Sequence, residues 1–218
     1  MSYLSSTITA VNSLSVVGTR PAGATAAHIL TAVLLRNGNV TSGFSTASAG
    51  WTLRSQLEGV AFPAQIQVWT ALGDVAGLTF TTPGATNSDL KLALVASAGR
   101  NLAPVVTVGT PVESTSTSIA ASSMTAAGAE DAIVAWMDTQ SGTSIGSAPA
   151  GYTDIVNDAT TAIHFVIAIR DNLSLGATGA LSRTATNFNM KLASGILLAD
   201  SSGGGATIPM GQRIFVNG

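Results

Sequence analysis

Apolar and polar positions alternate with a period of two along much of this chain. In "DLKLALVASAG", Leu90, Leu92 and Leu94 fall on one side of an extended strand. In "AIHFVIAIRDN", Ile163, Phe165, Ile167 and Ile169 do the same, while His164 and Arg170 take the other side. "AQIQVWT" sorts Ile66 and Val68 from Gln65, Gln67 and Trp69. Good helix formers occur in "DLKLALVASAG" and "AEDAIVAWMD", but the period of two decides for strands. Turn-prone clusters ("RNGN", "PGATNSD", "SGTSIGSAPAG", "SSGGG") follow at intervals too short for helical crossovers, which predicts antiparallel strands in a sandwich or barrel.

The pattern is written twice. "ATNSDLKLALVAS" (85–97) returns as "ATNFNMKLASGILLA" (185–199), and "AGWT" (49–52) as "AGYT" (150–153). Each Ala-Gly-aromatic-Thr turn lies between two strong strands, so four landmarks recur in the same order. Two related halves follow, about 25–98 and 125–199. A strand with one apolar side needs a facing layer. The economical arrangement pairs the halves as two sheets around one core, giving an all-β, antiparallel, jelly-roll-like β-sandwich over residues 1–200. The intervening "PVVTVGTPV" and "TSIAASSM" are themselves strand-forming and do not read as a linker.

Composition narrows the function. Only 9% of the 218 residues are charged and the formal net charge is −2, so no footprint for nucleic acid or anionic lipid is visible. Ser, Thr, Asn, Gln, Ala and Gly take the place of charge, and such a surface costs little to desolvate against another protein. The chain has no cysteine, which excludes disulfides and thiol chemistry. The N-terminal "MSYLSSTITAVNSLSVVG" lacks the features of a signal peptide, and runs such as "FVIAI" fall short of the ~20 apolar residues of a membrane span. The expectation is a protein released into the cytoplasm where it is made.

Candidate chemistry is sparse. "GTSIG" (142–146) has the Gly-x-Ser-x-Gly spacing with Ser144 at its centre, but a nucleophile elbow needs a helix right after the serine, and "SAPAG" reads as a loop. His28 and His164, the two histidines, have no metal-ligand spacing. Asp154, Asp158 and Asp171 surround one hairpin and read as solvated loop carboxylates, since no Gly-containing calcium loop joins them. Asn39-Val40-Thr41 and Asn172-Leu173-Ser174 match glycosylation acceptors that have no meaning without secretion. No catalytic residue, metal or cofactor is assigned. Trp51 and Tyr152 occupy equivalent places after a Gly and read as plugs at the end of a core. Trp69 shares its side with Gln65 and Gln67. Partner contact, glycan contact and coverage by a neighbouring loop all remain open for that trio.

Taken in order, "TRPAGATAAHILTAVLLRNG", "SAGWTLRSQLEG", "IQVWTALG", "LKLALVASAG" and "APAGYTDIV" resemble β-sandwich proteins common among tailed-phage virion components and some bacterial surface proteins. The resemblance covers about residues 19–199. At "ATAAHIL" the chain departs from the Gly-Asp that family members often carry before the strand. The resemblance implies a non-enzymatic virion subunit, on the capsid surface (decoration or minor capsid) or in the tail (minor tail protein). Implied partners are further copies of itself, with a trimer plausible by symmetry, and major capsid or tail proteins. Nucleic acid and membrane are not among the implied partners. The alternative is a carbohydrate-binding adhesin that contacts a host glycan through Trp51, Trp69, Trp136 or Tyr152.

Past residue 200 the chain changes character. Ser201 to Gly205 read as a flexible connector. "ATIPMGQRIFVNG" then carries Ile208, Met210, Ile214, Phe215 and Val216, an apolar C-terminal arm that docks on a neighbouring subunit or packs back on its own sandwich.

Overall fold

The computed structural model describes residues 3–38, 43–60, 63–83, 88–98, 106–127, 130–139, 145–160, 163–179, 181–186 and 191–199. Among these every regular element is a strand and every pairing is antiparallel. The proposed arm and its connector, residues 201–218, lie outside the described residues.

The first half contains β1 (Tyr3–Ser13), β2 (Ser15–Val17), β3 (Ile29–Asn37), β4 (Thr46–Ala47), β5 (Thr52–Glu58), β6 (Ala64–Leu72), β7 (Thr79–Thr81) and β8 (Ser88–Ser97). They form a large sheet ordered β1-β8-β3-β6-β5 and a small one ordered β2-β7-β4. This is the double Greek key of a jelly roll, except that the fifth strand stays beside the sixth at the edge of the large sheet.

The second half repeats the scheme with β9 (Val106–Val108), β10 (Val112–Ser114), β11 (Ser118–Ala121), β12 (Thr125–Ala126), β13 (Glu130–Asp138), β14 (Thr153–Asp158), β15 (His164–Leu173), β16 (Gly176–Ala177), β17 (Leu181–Thr184) and β18 (Lys191–Ala199). Its large sheet runs β10-β18-β13-β15-β14, with β9 sharing the place of β10 beside β18. The outer layer is β11 paired with β17, an isolated bridge between Ile145 and Ala185 standing in for β4, and a further β12–β16 pair. Even the irregularities correspond. The β5–β6 pairing shifts between Leu53 and Ser55, and the β14–β15 pairing between Asp154 and Val156.

Two sequence expectations need correction here. The repeat is longer than 25–98 and 125–199, because β1 and β2 in one half and β9 to β11 in the other hold equivalent places. There are also three cores instead of one. The large sheets face each other across Val33, Leu35, Ile66, Val68 and Val95 from one half and Met137, Phe165, Ile167, Leu192 and Ile196 from the other. Behind the first sheet, Leu34, Leu90, Leu92 and Leu94 pack on Val16 and Phe80 of the small sheet. Behind the second, Val134, Trp136 and Val166 pack on Ile119, Ala121, Met124 and Leu181. Each half is therefore a sandwich, and the two sandwiches share a third apolar layer.

Burial on both faces explains why the central strands read as nearly unbroken apolar runs: every residue of β13 is buried. It also displaces the echo in the last strands. Leu35 lies opposite Lys91, and its counterpart Met137 lies opposite Leu192. The fold thus equates Lys91 with Leu192, one residue out of step with the repeated "KLA".

Phe165 is fully buried in the layer shared by the halves. Phe165→Ala is expected to cost about 3–5 kcal/mol through lost burial and a residual cavity, read as a lower midpoint in urea unfolding. An unchanged midpoint would mean that the two large sheets do not pack on each other.

Candidate functional site

The repeated turns work as the sequence suggested. Gly50 and Gly151 both adopt positive φ, at 96° and 81°, where a side chain is strained. Each swings the following aromatic over the end of its own core. The indole N–H of Trp51 donates to the carbonyl of Gly77 at 2.8 Å, and its ring packs on Phe80 with centroids 5.2 Å apart. Tyr152 is buried in the other outer core with the Arg170 guanidinium 5.9 Å from its ring centroid. Burial pushes the Tyr152 phenol up, against a smaller opposing pull from Arg170.

The Trp69 trio lies beneath the segment that leads into β4. The Gln65 amide donates to Gly43 O at 3.3 Å, and that of Gln67 to Ser45 O at 3.1 Å. Both glutamines are buried, so coverage by a neighbouring segment describes them and neither side chain faces solvent. Trp69 is half-buried with its ring edge-on to Phe80 at 6.1 Å. Trp136 is fully buried, its N–H on Leu181 O at 3.3 Å and the Arg183 guanidinium 4.3 Å from its ring. Among the described residues, none of the four aromatics proposed to stack on sugar stands exposed.

The second half fastens its corresponding segment with different chemistry. His164 occupies the place of Gln65. Its Nδ1 accepts from the Ile145 N–H at 3.1 Å, and its Nε2 lies 2.9 Å from Asn157 Oδ1. Arg183 donates to Gly146 O at 2.7 Å and pairs with Asp154. His28, at the other end of its half, lies 2.8 Å from the Thr25 hydroxyl. Neither histidine has an open, paired arrangement for proton transfer. Among the described residues no three His, Cys, Asp or Glu side chains gather as a metal site, and Asp154 and Asp158 are engaged by Arg183 and Lys91. Ser144 and Asn39-Val40-Thr41 lie outside the described residues, as does the side chain of Asn172.

Sequence reasoning missed Lys91. With Leu90, Leu92 and Leu94 on one side, Lys91 falls on the other, which an ordinary sandwich would leave in water. Here that side is the layer between the halves. Lys91 is fully buried and reaches across to the second half, donating to Ile163 O at 2.6 Å and Asp158 O at 3.0 Å, with Asp158 Oδ1 at 3.2 Å. Burial pushes the ammonium down from its ordinary value, and Asp158 only partly restores it. Burial alone would raise the Asp158 carboxyl, but hydrogen bonds from Thr160 and the Lys91 charge outweigh it and hold the group below its ordinary value. Other polar links between the halves are Ser194 Oγ on Ser55 Oγ at 2.9 Å, the Val60 N–H on Glu113 at 2.9 Å and Ser6 Oγ on Ile155 O at 3.3 Å.

With Lys91, Gln65, Gln67, His164 and Arg183 committed inward, the sheet edges come next among the surface features. The two large sheets have four borders. β5 carries Arg54, Glu58 and a bulge, and β14 carries Asp154, Asp158 and a bulge. The third border is broken into the three-residue β9 and β10, separated by Gly109 and Pro111. These are the devices that discourage edge pairing. β1 differs: it has eleven residues with no charge, glycine or proline, its one bulge is confined to its start between Tyr3 and Ser5, and its pairing with β8 is unbroken from Ser5 to Ser13. A cleft of about 270 Å³ opens between β1 and β14, lined by Ser6, Thr7, Ile8, Ile155, Val156, Asn157 and Asp158. A smaller one, about 140 Å³, lies over Thr52, Arg54, Thr70 and Leu72.

Comparison with protein-family profiles, with curated proteins and with solved structures finds no match to this chain.

Two tests follow from this geometry. A Cβ on Gly50 would meet Val75 Cγ2 at 2.7 Å, whereas one on Gly151 meets the movable Arg170 guanidinium at 3.4 Å. Gly50→Ala and Gly151→Ala should each cost about 1–3 kcal/mol from backbone strain, with Gly50→Ala the worse in thermal unfolding; equal losses would argue against the Val75 contact. The Asp158 carboxyl is stabilised as the anion, so its contribution is complete above the ordinary carboxylate value and disappears as pH falls through the lower folded value. For Lys91 the burial penalty is complete below its lowered folded value and is relieved as pH rises from there to the ordinary lysine value. Asp158→Asn should therefore lower stability at pH 7 by about 1–3 kcal/mol and flatten its decline between pH 4 and pH 2. A decline as steep as the parent's would remove Asp158 from this role.

Proposed function

We propose that this chain is a non-enzymatic structural subunit of a bacteriophage particle, placed on the capsid surface or in the tail and assembled through neutral polar and apolar contacts. The observation that carries the reading is where the polar chemistry sits. Lys91, Arg36, Arg183, Gln65, Gln67 and His164 are all buried and hydrogen-bonded to backbone or to fixed side chains. They hold loops and halves together instead of converging on an open cleft. Even Arg36, whose guanidinium burial pushes down against the pull of Glu58, is spent on the carbonyls of Gly43 and Pro83. A chain so built offers shape, sheet edges and a bland surface. Two jelly rolls braced back to back give a stiff block suited to permanent assembly, and the jelly roll is a recurrent coat-protein architecture. The order of turn and strand motifs resembling phage sandwich proteins supplies the particle.

The adhesin reading draws support from the same architecture, which also serves lectins, but it needs an accessible aromatic. Trp51 and Trp69 are half-buried against Phe80, and Trp136 and Tyr152 are inside.

Locating the protein in purified particles by electron microscopy, with a tagged chain, tests the proposal. Density at regular capsid or tail positions is the expected result, and absence from particles would refute it. Titration with cell-wall glycan should leave tryptophan fluorescence unchanged; saturable quenching would favour the adhesin.

A further inference from the structure

We infer that β1 is the contact strand of a two-fold dimer, in which the β1 edges of two copies pair antiparallel and join their large sheets into one. This rests on the reading of the chain as an assembling subunit and names the surface that assembles.

The argument begins with the contrast among borders. Three of the four are blunted by charge, bulge or interruption, and β1 alone presents a long neutral edge. A strand edge exposes backbone N–H and C=O groups that require partners. Among the described residues the backbone groups of β1 bond to β8 and to no other backbone. Its outer-face hydroxyls are already used: Ser5 donates to Ala22 O at 2.8 Å and Thr7 to Thr19 O at 2.5 Å. That face is covered while the edge is not.

The inward face of β1 tells the same story from the other side. Ile8, Ala10 and Asn12 lie opposite Ala93, Lys91 and Asp89, on the side of the layer between the halves, yet all three are exposed. β1 therefore overhangs the second sheet, with Ile8 at 38% exposure bordering the open strip.

A second copy is the occupant that this chemistry selects. Antiparallel pairing about a dyad sets a strand against its own reverse, so any charge near the centre would meet its like. β1 has none. A dyad at Thr7 pairs Thr7 with Thr7 and Ser5 with Thr9 on one face, and Ser6 with Ile8 on the other. These are hydroxyl and small apolar neighbours that suit a sheet. The overhanging Ile8 of both copies then closes over the strip beside β14.

Ile8→Lys places like charges across the dyad. Sedimentation of the unmodified chain should show a dimer, and Ile8→Lys should weaken it by more than about tenfold. Ile8→Glu should do the same, and an equimolar mixture of the two variants should restore a dimer, which misfolded chains would not do. In the unmodified protein, amide exchange over residues 5–13 should slow as concentration rises. A monomer at ~100 µM, an Ile8→Lys dimer as tight as the parent's, or loss of the dimer on deleting residues 201–218 alone would each overturn the inference. The last result would assign the contact to the C-terminal segment. A dimer in solution from a chain absent from particles would leave the pairing standing and sink the virion reading instead.

Discussion

The structure depends on one requirement: two large sheets are apolar on both faces, and each therefore needs two covers. A small sheet folded from the same half supplies one cover, as Phe80 and Val16 do for Leu34 and Leu92. The other half supplies the second, as Phe165 and Ile196 do for Ile66 and Val95. Duplication answers a burial problem here. A jelly roll whose large sheet is oily on its outer side is incomplete alone, and a second copy in the same chain completes it without the entropic cost of bringing two molecules together.

The same requirement sets where the charges go. A chain with so few ionic groups places several inside. Such groups are costly unless they are paired and hydrogen-bonded. Lys91 meets two carbonyls and a carboxylate of the opposite half, and so ties the hairpin between β14 and β15 to β8. Arg183 lies over Trp136 and reaches Gly146 and Asp154. The Lys91 contacts add direction to an interface that apolar packing alone would leave free to slide, while those of Arg183 fasten the second half internally. What remains outside is mostly neutral, and so the character of a strand edge becomes the main distinction between one surface and another.

Much of this was legible in the residues. The period of two gave strands, and "AGWT" and "AGYT" marked equivalent turns because both require a left-handed glycine before a core-plugging aromatic. The repeated "KLA" pointed to duplication but misplaced it by one residue, since a sheet buried on both faces has no polar side to fix the register of such a match. The shape of the interior was hidden for the same reason. Leu90, Leu92 and Leu94 declared one apolar side, and Lys91 disguised the other. The Gln65, Gln67 and Trp69 row left partner contact, glycan contact and coverage by a loop open, because two amides beside an indole suit each of them; the amides serve the carbonyls of the segment folded over them. No local pattern announces a cover that comes from residues 43–46 or from the far half of the chain.

The most direct measurement is to produce residues 1–100 and 101–200 as separate chains and follow their unfolding alone and mixed. If the large sheets complete each other, each fragment alone will be unstable or self-associated, and mixing will restore cooperative unfolding at equal stoichiometry. Two fragments that each remain stable, independent monomers and ignore one another would contradict the shared layer on which this account is built.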